Sequence, residues 1–439
     1  MFRYQQKTAL TPSLARQAER DSILSSCCTS MGDVPFTDAA IIILYANMLG
    51  ASDTFTMITT SLVPLAIGFF TIPSAWITLR TSSYQQTILR ATFFSLLLFG
   101  VIVCAPFFGN ASVTVLLLAL AVFSIFHTIY ISAWFPMLDT FLTQERRSTY
   151  LGKMRFSWQL SAALLLGGIG VVIGKSPSIR VLQAVMLFSM FIFAFKLYFI
   201  ARIPNFKTET GRKMLNFKDG LNMALTNKPL AGYSVYLFIL NLAAYGTIPL
   251  VTLYMKKGLQ APDNIIVFIS SITLAGMLVG SFFAGSIIRR HGIKMTFLAV
   301  HVIYAVTNLA LFFMSKGIMP DAWLYVSIAS ILFLYSFTFA CANISSSSEM
   351  MALANPDNKV MAMAFCNSFY YAGSGLSRLM TSVILGSGAL ALSWTSMGMN
   401  FCHYQTLFLV YAVCIVFAAS LLVVVPAIFP KGEYIYTIH

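Results

Sequence analysis

Apolar runs long enough to form helices follow one another along the chain, each separated from the next by a few polar residues; only 1–21 and 204–228 are extended polar stretches. A bilayer core about 30 Å thick is crossed by roughly 20 apolar residues in a helix. Helices also satisfy every backbone donor and acceptor internally, which lipid cannot do. The pattern therefore predicts twelve spans, at roughly 22–48, 52–78, 84–107, 111–138, 156–175, 180–203, 229–256, 264–288, 295–316, 321–348, 361–391 and 404–429. The expected fold class is an all-α membrane protein, with twelve transmembrane helices in two pseudo-symmetric six-helix bundles. Residues 1–21 form an N-terminal cytoplasmic segment, 22–203 and 229–430 the bundles, 204–228 a cytoplasmic linker and 431–439 a tail.

Charge gives an independent test. With both termini cytoplasmic, 21 Lys and Arg fall on inside segments and five (Lys175, Arg180, Lys256, Lys257 and Lys316) on outside loops, as the positive-inside rule requires. The net charge of +14 is then explained by orientation and by anionic lipid headgroups, without nucleic acid. Composition agrees: 58% of residues are hydrophobic, 10% are charged, and the mean hydropathy is +0.80. Residues 1–21 hold no continuous apolar run, so no cleavable signal peptide is expected and the first span directs insertion. The expected location is the cell membrane, as a multi-pass monomer. Seven cysteines lie in or beside apolar spans at no metal-ligand spacing and read as small apolar fillers. No cofactor or metal is expected.

Two echoes join the halves of the chain. Leu44-Tyr45 followed by Asp53 returns as Leu253-Tyr254 followed by Asp263, and the stretch from Asp139 to Phe156 returns as Glu349 to Phe365. Two six-helix halves with a central linker and short loops resemble the major facilitator superfamily of secondary transporters, over essentially the whole chain. The loop signature of that family is matched best at Gly285-Ser286-Ile287-Ile288-Arg289-Arg290-His291-Gly292-Ile293-Lys294. Both glycines, Arg290 and Lys294 fit; Arg289 stands where the family has Asp, and Ile293 where it has a basic residue. Near Trp76 to Tyr84, the first copy keeps only Arg80. The resemblance implies two bundles rocking about a midplane site, lined by spans one, four, seven and ten, with spans five and eight facing each other. Gly167, Gly168, Gly170 and Gly174 in span five, and Gly276, Gly280 and Gly285 in span eight, allow close helix approach, either between the halves or within one. Gly68 with Pro64 and Pro73 in span two, and Gly373 and Gly375 in span eleven, suggest the other hinge pair.

Ionisable side chains inside a membrane are costly and face a cavity or a partner. Asp33 is the candidate coupling carboxylate if span one places it at depth; a helix starting near Val34 would make it an interfacial cap. Asp38 lies further out on the same span. Arg378, flanked by Tyr370, Tyr371, Gly373 and Gly375, is the candidate for an anionic substrate group, since guanidinium keeps its charge and offers a planar donor fork. The alternative is a fixed pairing with Asp33, Asp38 or a carbonyl cluster. His127, beside Tyr130 and Trp134, reads as a proton relay or as a packing histidine. Asn241, Tyr245 and Asn343 complete the polar lining. Lys196, close to the inner end of span six, is expected to snorkel to the interface. By the same resemblance, Asp139 paired with Arg80, Arg146 or Arg147, and Glu349 paired with Arg289 or Arg290, form inner latches; solvated helix-end charges are the alternative.

Gly174-Lys175-Ser176 imitates a phosphate-binding loop, but Ile169 occupies its required first glycine. No metal-spaced histidine cluster or nucleophile elbow appears, so no enzyme is expected. The sequence reads as a secondary active transporter of a small organic solute working by alternating access, with a proton as candidate coupling ion. The rival is a transport-inactive receptor or assembly partner of the same fold.

Overall fold

The computed structural model describes residues 11–81, 83–142, 144–206, 217–354, 359–396 and 399–424. The first span is broken: α1 (Pro12–Thr37) and α2 (Ala39–Met48) meet at 46°. Pro35 removes one helical donor. Asp38 leaves helical geometry, and its carboxylate caps α2 through the Ala40 N–H at 3.2 Å. Then follow α3 (Asp53–Leu79), α4 (Tyr84–Val103), α5 (Ser112–Leu138), α6 (Gln144–Val172) and α7 (Ile179–Arg202). A short α8 (Phe217–Thr226) lies in the expected linker, with Leu221 and Ala224 packed into the core beside α13.

The seventh span is broken too, into α9 (Lys228–Ala244) and α10 (Thr247–Lys257), across Tyr245-Gly246. The helical run α11 (Asp263–Phe313) has 51 residues, about 77 Å if straight and too long for one crossing. It breaks at Gly292, where φ is +76°, a conformation suited to glycine. The remaining helices are α12 (Asp321–Leu353), α13 (Lys359–Ser387) and α14 (His403–Val424). A two-stranded antiparallel hairpin, β1 (Ser393–Ser396) and β2 (Met399–Cys402), precedes α14 and had no counterpart in the expected layout. Among the described residues, nine helices are long and apolar enough to cross a membrane, or ten with α1 and α2 as one bent span. The chain is a multi-pass membrane protein.

The Leu-Tyr echo has a physical counterpart. The last carbonyls of a helix lack partners within it. At the end of α4, Tyr45 Oη donates to the Ile102 and Val103 carbonyls at 3.0 and 3.1 Å, and Gln183 Nε2 donates to Val103 at 3.1 Å. At the end of α11, Tyr254 Oη donates to the Met314 carbonyl at 2.6 Å, and Gln405 Nε2 to that of Phe312 at 2.8 Å.

Two helix pairs make the most extensive junction between the N-terminal and the C-terminal part of the chain among the described residues. In the first, α3 packs on α13. A Cβ added at Gly68 would lie 2.5 Å from the Ala372 nitrogen, and Ser368 Oγ donates to the Gly68 carbonyl. In the second, α6 packs on α11, with Gly170 against Phe268, Gly167 against Ser271, and Ser271 Oγ donating to the Ala163 carbonyl at 2.8 Å. Gly276 and Gly280 instead admit the backbone of α12 at Phe333 and Phe337. Gly276 and Gly280 thus serve packing within the C-terminal part, whereas Gly167 and Gly170 serve the junction.

Candidate functional site

Two polar clusters, one half-buried and one buried, lie on either side of the α1/α2 break. The first is built around Arg378. Proline lacks an N–H, so it leaves the carbonyl four residues earlier without its helical donor. Pro64 in α3 leaves Thr60 in this position, and Pro249 in α10 leaves Tyr245. Arg378 occupies both: Nη1 donates to the Thr60 carbonyl at 2.6 Å and Nε to the Tyr245 carbonyl at 3.5 Å. The guanidinium thereby joins α3, α13 and the α9/α10 break, while its carbon sits 5.6 Å from the Tyr245 ring centroid. Asp38 interacts with it electrostatically from the α1/α2 break, and also with the Ser270 side chain of α11. Ser377 Oγ accepts the Gly246 N–H at 2.9 Å, which fixes the same break from α13. Guanidinium has five donors in a planar fork; the two bonds orient it and leave donors for a ligand.

Next to it is a hydroxyl and amide network. Tyr370 Oη bonds Tyr245 Oη at 2.9 Å and accepts from Asn343 Nδ2 at 3.1 Å, and Asn241 Nδ2 donates to the Tyr370 carbonyl at 3.3 Å. Tyr371 interacts electrostatically with Arg155 of α6. The structure therefore brings Asp38, Asn241, Tyr245, Asn343, Tyr370, Tyr371 and Arg378 into one region.

Asp33, His127 and Tyr130 belong to the second cluster, whose fourth member is Lys196. Asp33 lies inside α1, 7% exposed, with His127 Nε2 at 3.9 Å from its carboxylate. Lys196 is fully buried, contrary to the snorkelling expected of it. Its ammonium lies 3.1 Å from the Tyr130 ring centroid and 4.8 Å from that of Phe193, and interacts electrostatically with Asp33 and Cys28. Among the described residues, neither Lys196 Nζ nor His127 Nδ1 has a hydrogen-bond partner. Desolvating an ammonium costs several kcal/mol, of which a desolvated cation–π contact returns about 2 kcal/mol; Asp33 is the acid that interacts with it. Lys196 had a readable signal. The buried stripe of α7 is Leu182, Met186, Ser189, Phe193, Lys196 and Ile200, spaced by three or four residues, which turns Lys196 inward. Arg155, one residue before the expected start of span five, lies inside α6.

The expected latch residues are placed as follows. Glu349 is buried and interacts electrostatically with Tyr233. Arg289 is exposed and bonds Ser286 at 3.3 Å, and Arg290 is exposed. Asp139 is exposed at the end of α5 and interacts with Tyr84. Arg80 stacks on Trp76 at 4.0 Å. Arg146 and Arg147 lie outside the described side chains.

The profile of the Major Facilitator Superfamily matches residues 23–378. The chain belongs to this superfamily. Solved structures share the fold of this superfamily member at low identity. The nucleoside transporter NupG matches at 15% identity with a TM-score of 0.67, covering 95% of this chain and 100% of NupG. A POT family transporter in complex with a thioalcohol-conjugated peptide matches at 12% and 0.69, covering 94% and 96%. A bacterial homologue of the iron transporter ferroportin, in its inward-facing state, matches at 12% and 0.63, covering 94% and 98%. No curated protein matches the chain by sequence. Family and fold make this a membrane transporter and not an enzyme.

Proposed function

We propose that this superfamily member is a secondary active transporter of a small organic solute, and that it moves the solute by alternating access between two six-helix bundles. Twelve spans follow if α1/α2 and α9/α10 are single broken spans, α11 is two spans divided at Gly292, and α13 crosses once. The paired ties of Tyr45 with Gln183 and Tyr254 with Gln405 support an internal duplication. The observation that carries the reading is Arg378, which hydrogen-bonds the break of the seventh span and α3, and interacts electrostatically with Asp38 at the break of the first, at a junction between the two parts of the chain. Broken helices around a midplane site are how transporters combine irregular backbone with membrane depth. The charge at Arg378 favours a solute bearing a carboxylate or phosphate, with the Tyr370 network taking neutral polar groups.

The bonds at one end of the junction support a state closed on the outer side. Lys257 Nζ lies 3.6 Å from Asp53, Tyr404 Oη donates to Asp53, Ser382 Oγ donates to the Thr54 carbonyl at 2.7 Å, and the Asp263 N–H donates to the Lys175 carbonyl at 3.0 Å. Asp139 with Arg80, Arg146 or Arg147, and Glu349 with Arg289 or Arg290, are the proposed latches of the opposite state. Counterflow in proteoliposomes loaded with carboxylate, phosphate, zwitterionic or neutral metabolites tests the reading. Saturable exchange of one class, absent from empty liposomes, is expected. A ligand that stabilises the protein yet is never exchanged would instead make it a receptor.

A further inference from the structure

Arg378 is not the only guanidinium turned toward the Tyr370 network. In α6, Arg155, Gln159, Ala162 and Leu166 are spaced by three or four residues, and Ala162 and Leu166 are buried, so one face of the helix carries all four inward. Lys153 and Phe156, off that face, are exposed. Arg155 is half-buried and interacts electrostatically with Tyr371 of α13. Among the described residues no acid pairs with Arg155 and no carbonyl accepts from it, whereas Arg378 has Asp38 and two carbonyls. One turn along the same face of α6, Gln159 Nε2 donates to Ser281 Oγ of α11 at 3.4 Å, while its Oε1 is buried without a hydrogen-bond partner among the described residues. A helix face built only for packing would satisfy such an atom.

We infer that Arg155 is a second cationic contact of the solute site, and that the solute carries two separate anionic groups, one for Arg155 with Tyr371 and one for Arg378. The inference rests on the transporter reading and deepens it by naming the substrate class. The register of α13 sets the spacing. Tyr371 and Arg378 are seven residues apart, two turns and so one face of the helix, about 10 Å along its axis. Between them the wall is aromatic and hydroxylic: the Tyr370 and Tyr371 ring centroids are 5.1 Å apart, and Tyr370 Oη bonds Tyr245 Oη, whose ring lies beside the Arg378 guanidinium. Both α6 and α13 run toward the end of the junction where the Lys175 carbonyl and Ser382 make their ties. Gln159 and Arg378 are therefore nearer that end than Arg155 and Tyr371. A solute lying along α13 thus meets a cation from α6 at one end, a cation from α13 at the other, and the Gln159 carbonyl oxygen as an acceptor between them. Because the two cations belong to different parts of the chain, one solute with two anionic ends ties those parts together.

The test is titration of the purified chain in detergent, followed by thermal stabilisation, with straight-chain dicarboxylates from succinate to suberate and phosphonocarboxylates of the same lengths. Each is paired with the compound in which one terminal group is a neutral amide. In the wild type one length of dianion should bind about tenfold or more tighter than its monoanionic partner, the worth of one charged hydrogen bond. In Arg155→Gln that preference should vanish while the monoanion binds as before. Equal binding of dianion and monoanion by the wild type, or a preference that survives in Arg155→Gln, would overturn the second contact and leave the Arg378 reading standing. If Arg155→Gln does not fold, Arg155→Lys replaces it: the charge stays but the planar fork is lost, so the preference should weaken, and an unchanged preference overturns the contact. A wild type that binds none of these anions defeats both this inference and the anionic solute proposed for Arg378. Counterflow separates the remaining claim, since a dianion bound through Arg155 yet never exchanged supports the two-cation site and defeats the transporter reading.

Discussion

At the scale of single residues, the decisive geometry is a guanidinium bonded to carbonyls that prolines have left without helical donors. Arg378 reaches Thr60 and Tyr245 because Pro64 and Pro249 stand four residues beyond them. Lysine keeps the charge but is a point donor on a flexible stem and cannot reproduce a planar fork. Arg378→Lys should therefore lower the thermal midpoint, by an amount equivalent to about 1.5–3 kcal/mol for a lost charged hydrogen bond; an unchanged midpoint would show that the two carbonyl bonds contribute little. The candidate status of Arg378 was legible from depth and charge alone. Its partners were not, because nothing in one segment says which other segment supplies a free carbonyl, although each Pro marks one at a fixed offset. Lys196 was misplaced for a related reason: closeness to a helix end was weighed above the face of the helix on which it falls.

At the scale of elements, the succession of apolar runs was readable because a helix that crosses lipid must be long and apolar. The breaks in the first and seventh spans were not predicted, since the apolar runs continue through them. Pro35 and Asp38 in one, and Gly246 and Pro249 in the other, were their markers. Pro249→Ala restores a donor for the Tyr245 carbonyl from the first turn of α10. This variant should be at least as heat-stable as the wild type while losing most solute exchange; full exchange would mean that the break is dispensable. Gly68→Leu should act oppositely. Its Cβ would fall 2.5 Å from the Ala372 backbone nitrogen, and overpacking of this kind costs about 1–3 kcal/mol. A lower thermal midpoint in detergent is expected, and wild-type stability would show that α3 and α13 can separate freely there.

At the scale of the whole molecule, the account joins two clusters through one bent span and closes one end with polar ties. The pair between Asp53 and Lys257 is half-exposed, and such pairs contribute about 1 kcal/mol or less, small enough to break during a transport cycle. Asp53→Asn should speed labelling of a cysteine placed at the buried Ala51 by an impermeant thiol reagent, whereas unchanged labelling would remove Asp53 from the closure. The most direct test of the central claim is thermal stabilisation of the wild type and Arg378→Ala by anionic, zwitterionic, cationic and neutral metabolites. A ligand at about 100 times its Kd adds roughly 2.7 kcal/mol to stability. The account predicts that a carboxylate- or phosphate-bearing solute stabilises the wild type and that this stabilisation is lost in Arg378→Ala. Stabilisation only by neutral or cationic solutes, and equally in the folded Arg378→Ala variant, would contradict it and leave Arg378 as a structural tie between helices.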